Sequence, residues 1–324
     1  MRRYAPVVAL LVIALAVVPA LPLSTFTLQN VNLAICYATV ALSLNIVFGF
    51  AGQLSLGHGA LFAVGAYTSA ILTARYSWPF LPALASALVA GALAGLLIGG
   101  PSLRLRSHYF AFATLAFASI VTLVIRYAPS LTGGSDGLTG IPQASIAGYE
   151  LTALIDYYYL GLAVLVLAVV VSANISGSRL GRALIAIRED ELAAEASGLN
   201  VSFYKLLAFV VSAALAALAG SVYAHQSAFI SPDVFGLDLS ILLLAMVVVG
   251  GAGSIAGVLV GAALLTLLPE VLRFSSGYYG IIYGALIAVL MIFAPAGLAG
   301  VMRGLRGRRA VTREADPAPL SEGA

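Results

Sequence analysis

LPALASALVAGALAGLLIGG, residues 81–100, contains no charged side chain and no alternation of apolar with polar positions. Coiled as an α-helix, a run of this length rises about 30 Å, the thickness of a bilayer's hydrocarbon core. With no water at that depth, backbone N–H and C=O groups must be satisfied internally, which leaves helices or a closed barrel. A barrel strand would alternate with period two over ~10 residues. This stretch does not, so it reads as a membrane-spanning helix.

The rest of the chain follows the same pattern. Of its 324 residues, 61% are hydrophobic and only 9% charged, with a mean hydropathy of +1.05, whereas soluble domains carry about 25% charged residues. Comparable runs recur at 5–23, 31–50, 58–74, 80–100, 108–126, 157–175, 204–224, 238–252, 255–272 and 279–295. The expected fold is an all-α membrane protein, a polytopic helical bundle of about ten transmembrane helices. Its membrane domain occupies 1–300 with a charged loop at 176–203, and 301–324 reads as a disordered cytoplasmic tail. The first run, behind Arg2 and Arg3, also fits a signal peptide, although a retained helix is the simpler reading.

Orientation accounts for the basic balance. With the N-terminus inside, all of the 16 basic residues except Arg75, Arg126 and Arg273 fall on the inner side, as the positive-inside rule requires of a multi-pass protein with both termini cytoplasmic. The net charge of +3 therefore reflects topology, and no nucleic-acid partner is expected. Cys36, the single cysteine, can form no intrachain disulfide and reads as a small core residue. Glycines at every fourth position, Gly91, Gly95 and Gly99 and again Gly253, Gly257 and Gly261, draw smooth stripes suited to close helix contact in lipid. A pore-lining or moving surface is the alternative for those stripes.

Three stretches stand out from the apolar background. FGFAGQLSLGHGALFAVGAY, residues 48–67, and VVGGAGSIAG, residues 248–257, are glycine-rich breaks at the joins of spans. Irregular backbone survives in a bilayer only when buried in protein or facing a watery cavity, and paired breaks point to a permeation path. On that reading Asn45, Gln53, Ser55 and His58 line a translocation path; a tight cytoplasmic hairpin would also need the glycines. His58 has no second ligand at metal spacing, so no metal site is expected. The outer loop SLTGGSDGLTGIP, residues 130–142, is either a solvated connection or a docking surface.

The third is GRALIAIREDELAAEASG, residues 181–198, where Arg182, Arg188, Glu189, Asp190, Glu191 and Glu195 crowd into an otherwise uncharged chain. Glu189, Asp190 and Glu191 suit the positive end of a helix dipole, and Gly198 suits a helix stop. Residues 190–197 are thus predicted to form a short helix whose alanines allow a partner close approach.

GRALIAIREDELAAEASGLNVSFYKLLAFVVSA resembles the coupling segment of branched-chain amino acid ABC transporter permeases of the LivM type. SLNIVFGFAGQLSLGHGALFAVGAY and LTGGSDGLTGIP look like that family's other recurring stretches, in the same order, over roughly residues 30–300. Against the importer motif Glu-Ala-Ala, three residues, Gly, this chain matches at Ala193, Ala194 and Gly198, with Leu192 at the Glu position and Glu191 one residue earlier. The resemblance implies a permease subunit of a bacterial inner-membrane importer. It would pair with a second, different permease subunit, two ATPase subunits, an extracytoplasmic solute-binding protein and membrane lipid. It implies that Gly181, Arg182, Arg188, Glu189, Glu191, Ala193, Ala194 and Gly198 couple the chain to an ATPase. No cofactor and no catalysis are expected of this chain itself, ATP being bound by the partners. A phosphate loop needs Gly-Lys-Ser/Thr, and the only lysine, Lys205, follows Tyr204. Relatives of the family carry urea, short amides or other amino acids. The rival readings are an ion-driven secondary transporter, which would need ionisable residues within its spans, and a passive channel.

Overall fold

The computed structural model describes residues 24–102, 107–146 and 148–271, with isolated positions 13, 17, 284, 285, 297, 298 and 300. Apart from those isolated positions, the expected spans at 5–23 and 279–295 lie outside the described residues, as do the expected tail at 301–324 and the basic pair Arg104 and Arg106.

The described residues are mostly helical. In order it forms α1 (Thr25–Asn45), continued by a π-helical turn (Ile46–Phe50), then α2 (His58–Tyr76), α3 (Phe80–Ser102), α4 (Ser107–Tyr127) and the one-turn α5 (Pro129–Thr132). Next come α6 (Leu154–Gly177), α7 (Arg179–Glu189), α8 (Glu191–Ala196), α9 (Val201–Ser227), α10 (Leu237–Gly250) and α11 (Ile255–Val271). Among the described residues, six segments are long and apolar enough to cross a membrane: Thr25–Phe50, Phe80–Pro101, Tyr109–Tyr127, Leu154–Gly177, Val201–Ser227 and Pro232–Gly250. The expected spans at 58–74 and 255–272 are helices too, as α2 and α11, but α2 is interrupted by His58, Ser69, Thr73 and Arg75, and α11 is short.

Burial sorts the helices into layers. The α1 segment is 83% buried and α3 only 22%, so α1 forms the centre and α3 presents Leu93, Leu96 and Leu97 outward. Both are apolar all round, which in lipid suits either position. The central packing is made by α9, against which α2 and α3 lie at backbone contact distance. A Cβ on Gly95 would stand 2.8 Å from that of Ala213, and one on Gly91 would stand 2.7 Å from the Ala213 carbonyl. Gly65 meets the Ala217 backbone, and Gly220 meets that of Phe62. Without a hydrophobic drive between helices in lipid, such close van der Waals approach is what holds them together. The Gly91–Gly95 stripe is therefore spent on contact within the subunit.

Paired positions give the directions. His58, Ser69 and Thr73 of α2 bond to Ser212, Ser221 and His225 of α9, so these two helices run parallel. Gly91 and Gly95 face Ala217 and Ala213, so α3 runs antiparallel to both. At one end, the 130–142 loop is structured: α5 and a 3-10 turn lead into β1 (Leu138–Thr139), which pairs antiparallel with β4 (Phe229–Ile230). Two further short strands, β2 (Ser145–Ile146) and β3 (Tyr149–Glu150), form a separate hairpin, and an Arg126–Asp233 ion pair at 2.6 Å closes the same end. The opposite end carries α7 and α8.

Candidate functional site

The charged loop folds into two helices rather than one. Ser178 caps α7 by accepting from the Gly181 amide at 3.2 Å, and Gly181 packs directly on the backbone of Ile175 and Ser176, an elbow too tight for a side chain. Along α7, Gly181, Ala183, Leu184 and Ile187 are buried while Arg182 and Glu189 face out. That i, i+3, i+6 placement is an amphipathic stripe. Glu189 ends α7 and so does not begin the next helix, as its charge cluster suggested; the cap of α8 is Asp190, whose Oδ1 accepts from Ala193 N at 3.0 Å. The short helix expected over 190–197 is α8, Glu191–Ala196.

Gly198 stops α8 with φ +85. Its amide donates to Glu195 O at 2.9 Å and that of Leu199 to Ala194 O at 3.2 Å, the bond pair that ends a helix through a left-handed residue. Beneath α8, Ile187, Ala194 and Val201 form a small apolar cluster of their own. Glu191 reaches Lys205 of α9, carboxylate to ammonium 2.7 Å, a close ion pair rather than an aligned hydrogen bond. The Lys205 side chain is wholly buried there. Leu192, at 77% exposed, points the other way together with Ala193 and Glu195.

The two glycine breaks meet on the inner side of this loop. Asn45 Oδ1, at the end of α1, accepts from the Gly253 amide at 2.8 Å. Just past the π-turn the Gln53 amide donates to Val47 O at 3.1 Å instead of to Gly49, four residues back, and the Gly49 carbonyl accepts from Arg188 Nη1. A Cβ on Gly49 would stand 2.5 Å from Gly253 N and closer still to Asn45 Oδ1. Only glycine lets the two breaks touch.

Past the π-turn, residues 51–57 run without regular structure until α2 begins at His58. His58 Nε2 lies 2.8 Å from Ser212 Oγ and its Nδ1 2.9 Å from Ser55 Oγ, while Ser212 donates its own proton to Ser43 O at 2.6 Å. The Ser212 hydroxyl must therefore accept from His58, which puts a proton on Nε2; with the imidazole neutral, Ser55 donates to Nδ1. Leu56 N donates to Thr114 Oγ1 at 3.0 Å and Gly59 N to Ser240 Oγ at 3.1 Å. The irregular segment is thus pinned by side chains of α4, α9 and α10. Ser212 is about 16 Å along α9 from its start at 1.5 Å per residue, so α2 begins well inside the bundle. The segment dips inward, buried in protein as irregular backbone in a bilayer must be.

The structure accordingly brings Asn45, Ser55 and His58 into bonded contact with the breaks, and Gln53 is buried beside them. Of the loop residues, Arg182, Glu189, Ala193 and Gly198 are exposed, Gly181 and Ala194 are buried, and Arg188 and Glu191 bond back to their own chain. Sequence reasoning missed Ser212, Ser240 and Thr114, and named Lys205 and Gly253 without the contacts they make here. A lysine or a serine within a span was the available signal, since a polar group in lipid needs a partner.

The comparisons agree across most of the chain. Residues 26–295 match the family described as branched-chain amino acid transport system, permease component. The chain is 36% identical over 319 residues to the high-affinity branched-chain amino acid transport system permease protein LivM of Escherichia coli, covering 91% of this chain and 75% of that one. It is 25% identical over 293 residues to the LivH permease protein of Salmonella typhimurium, covering 84% and 94%. Against the probable LivM of Methanocaldococcus jannaschii it is 24% identical over 310 residues, covering 81% and 90%. No solved structure gives a significant match.

Proposed function

The chain belongs to the permease-component family of the branched-chain amino acid transport system, and from that membership we propose how its parts divide the work. It is a multi-pass membrane permease subunit of an importer for branched-chain amino acids. Its membrane domain, 1–300, supplies half of the path, with about ten spans once 5–23 and 279–295 are added. Another permease of the family supplies the other half, since the chain is similar to both LivM and LivH proteins. The 176–203 loop faces the cytoplasm and seats on one of two ATPase subunits, and a solute-binding protein delivers cargo to the opposite end at the inner membrane.

The observation that carries the coupling role is the build of α8. A six-residue helix in a lone surface loop would not hold its shape, yet α8 is capped by Asp190, stopped by Gly198, tied to buried Lys205 and seated on Ala194. Its outer face, Leu192, Ala193 and Glu195, is left clear for a partner. An ion-driven transporter is disfavoured because no Asp or Glu is buried among the described residues, so a carboxylate relay within the spans lacks its parts.

The test is uptake by the assembled importer in proteoliposomes. Leucine, isoleucine or valine should accumulate only with ATP inside and the solute-binding protein outside. Accumulation that persists without ATP and responds to an ion gradient would replace this reading with a secondary transporter.

A further inference from the structure

Arg188 stands in the exposed loop among groups available to an ATPase, yet its guanidinium turns inward. Nη1 donates to the Gly49 carbonyl that the π-turn frees. A Cβ on Gly253 would lie 3.5 Å from the same nitrogen, and one on Gly52 would lie 3.0 Å from Arg188 Cγ. Asn45 joins the two breaks from the other side through the Gly253 amide. One arginine, at the last turn of α7, thus lies against both interruptions of the bundle, and α7 is joined to α8 through Asp190 and through the packing of Ile187 on Ala194. Lys205 ties the far side of α8 to α9, so force on α8 has two exits: the one through α9 reaches the first break by way of Ser212, and the Arg188 exit lies against both breaks.

We propose that Arg188 is the positioning residue through which movement of the α7–α8 loop reaches the two glycine breaks, by its grip on the Gly49 carbonyl beside the Asn45–Gly253 bond. This deepens the importer reading and rests on it. The role is transmission within the chain and not attachment of the ATPase. A guanidinium suits it because its charged, planar donors hold a carbonyl in a fixed direction, which a lysine does less well. The π-turn matters because a regular helix would have used the Gly49 carbonyl for its own ladder.

The assembled importer in proteoliposomes distinguishes these roles, with R188Q, R188K and N45A measured for ATPase subunit retained, ATP hydrolysed and leucine taken up. In R188Q the ATPase should stay bound and leucine carried per ATP should fall about tenfold, the loss of one charge-assisted hydrogen bond, with R188K intermediate. N45A, which leaves the loop surface untouched, should lower the same ratio. An R188Q complex that transports as many leucines per ATP as the native one overturns the proposal. So does an R188Q complex that sheds its ATPase, or fails to assemble, while N45A transports normally, for Arg188 is then an attachment or folding residue. If the native complex binds no ATPase at all, it is the importer reading that fails, and the proposal falls with it.

Discussion

Replacing Gly198 with valine is expected to cut uptake sharply, and replacing it with asparagine is not. Gly198 holds φ +85 with nothing within 4 Å of where a Cβ would stand, so the restriction is conformational and not one of space. A left-handed backbone costs an ordinary residue about 1–2 kcal/mol and a β-branched one more, while asparagine tolerates it. Forcing the residue out of that region breaks the Leu199–Ala194 bond, moves the end of α8 and frees it from the Ala194 seat. We expect G198V to reach the membrane at native levels yet transport less than about a tenth as fast, by more than the 1.4 kcal/mol that a tenfold change represents, and G198N to stay within about twofold. Equal loss in both variants would mean that the partner reads the bare backbone at 198 instead of the helix that it terminates.

The second large effect is at His58. The imidazole links Ser55 on the irregular segment to Ser212 on α9, and H58A removes both bonds at once. Ser55 loses the acceptor for its proton, which costs about 1–3 kcal/mol, while Ser212 keeps its bond to Ser43 O and loses only the one it accepts; the missing ring leaves a cavity as well, since Phe209 packs edge-on against it at 6.2 Å. Uptake and the thermal midpoint of the detergent-solubilised subunit should therefore fall together. A variant that keeps its midpoint and loses uptake alone would place His58 on the solute's route rather than in the frame around it.

How much of this was legible beforehand differs by region. Helices α3 and α9 declare themselves through length and apolar content, because a bilayer enforces both. The loop helix α8 was legible for another reason: Asp190 and Gly198 are local signals for a start and a stop, and they act within a few residues. The α7 helix was not, because its charges masked a buried stripe, and the π-turn that it lies against is distant in sequence. Asn45 stood out as a polar residue in an apolar run, but its partner, Gly253, lies 208 residues away. Both breaks were visible as glycine clusters; that they touch each other is a property of packing, and no spacing rule reports it. Arg188 and Glu191 were grouped with the outward-facing charges because sequence gives the charge of a loop residue and not the direction in which it points.

The direct test of the account is to isolate the native complex by a tag on this chain, in mild detergent, beside a variant with the charges reversed at Arg182, Glu189 and Glu195, all exposed and none used in the bonds that fold the loop. The account predicts that an ABC ATPase and a second permease come with the native chain, and that the variant keeps the permease and loses the ATPase. An ATPase that stays with the variant in full amount, or a native chain that arrives without one, would contradict it.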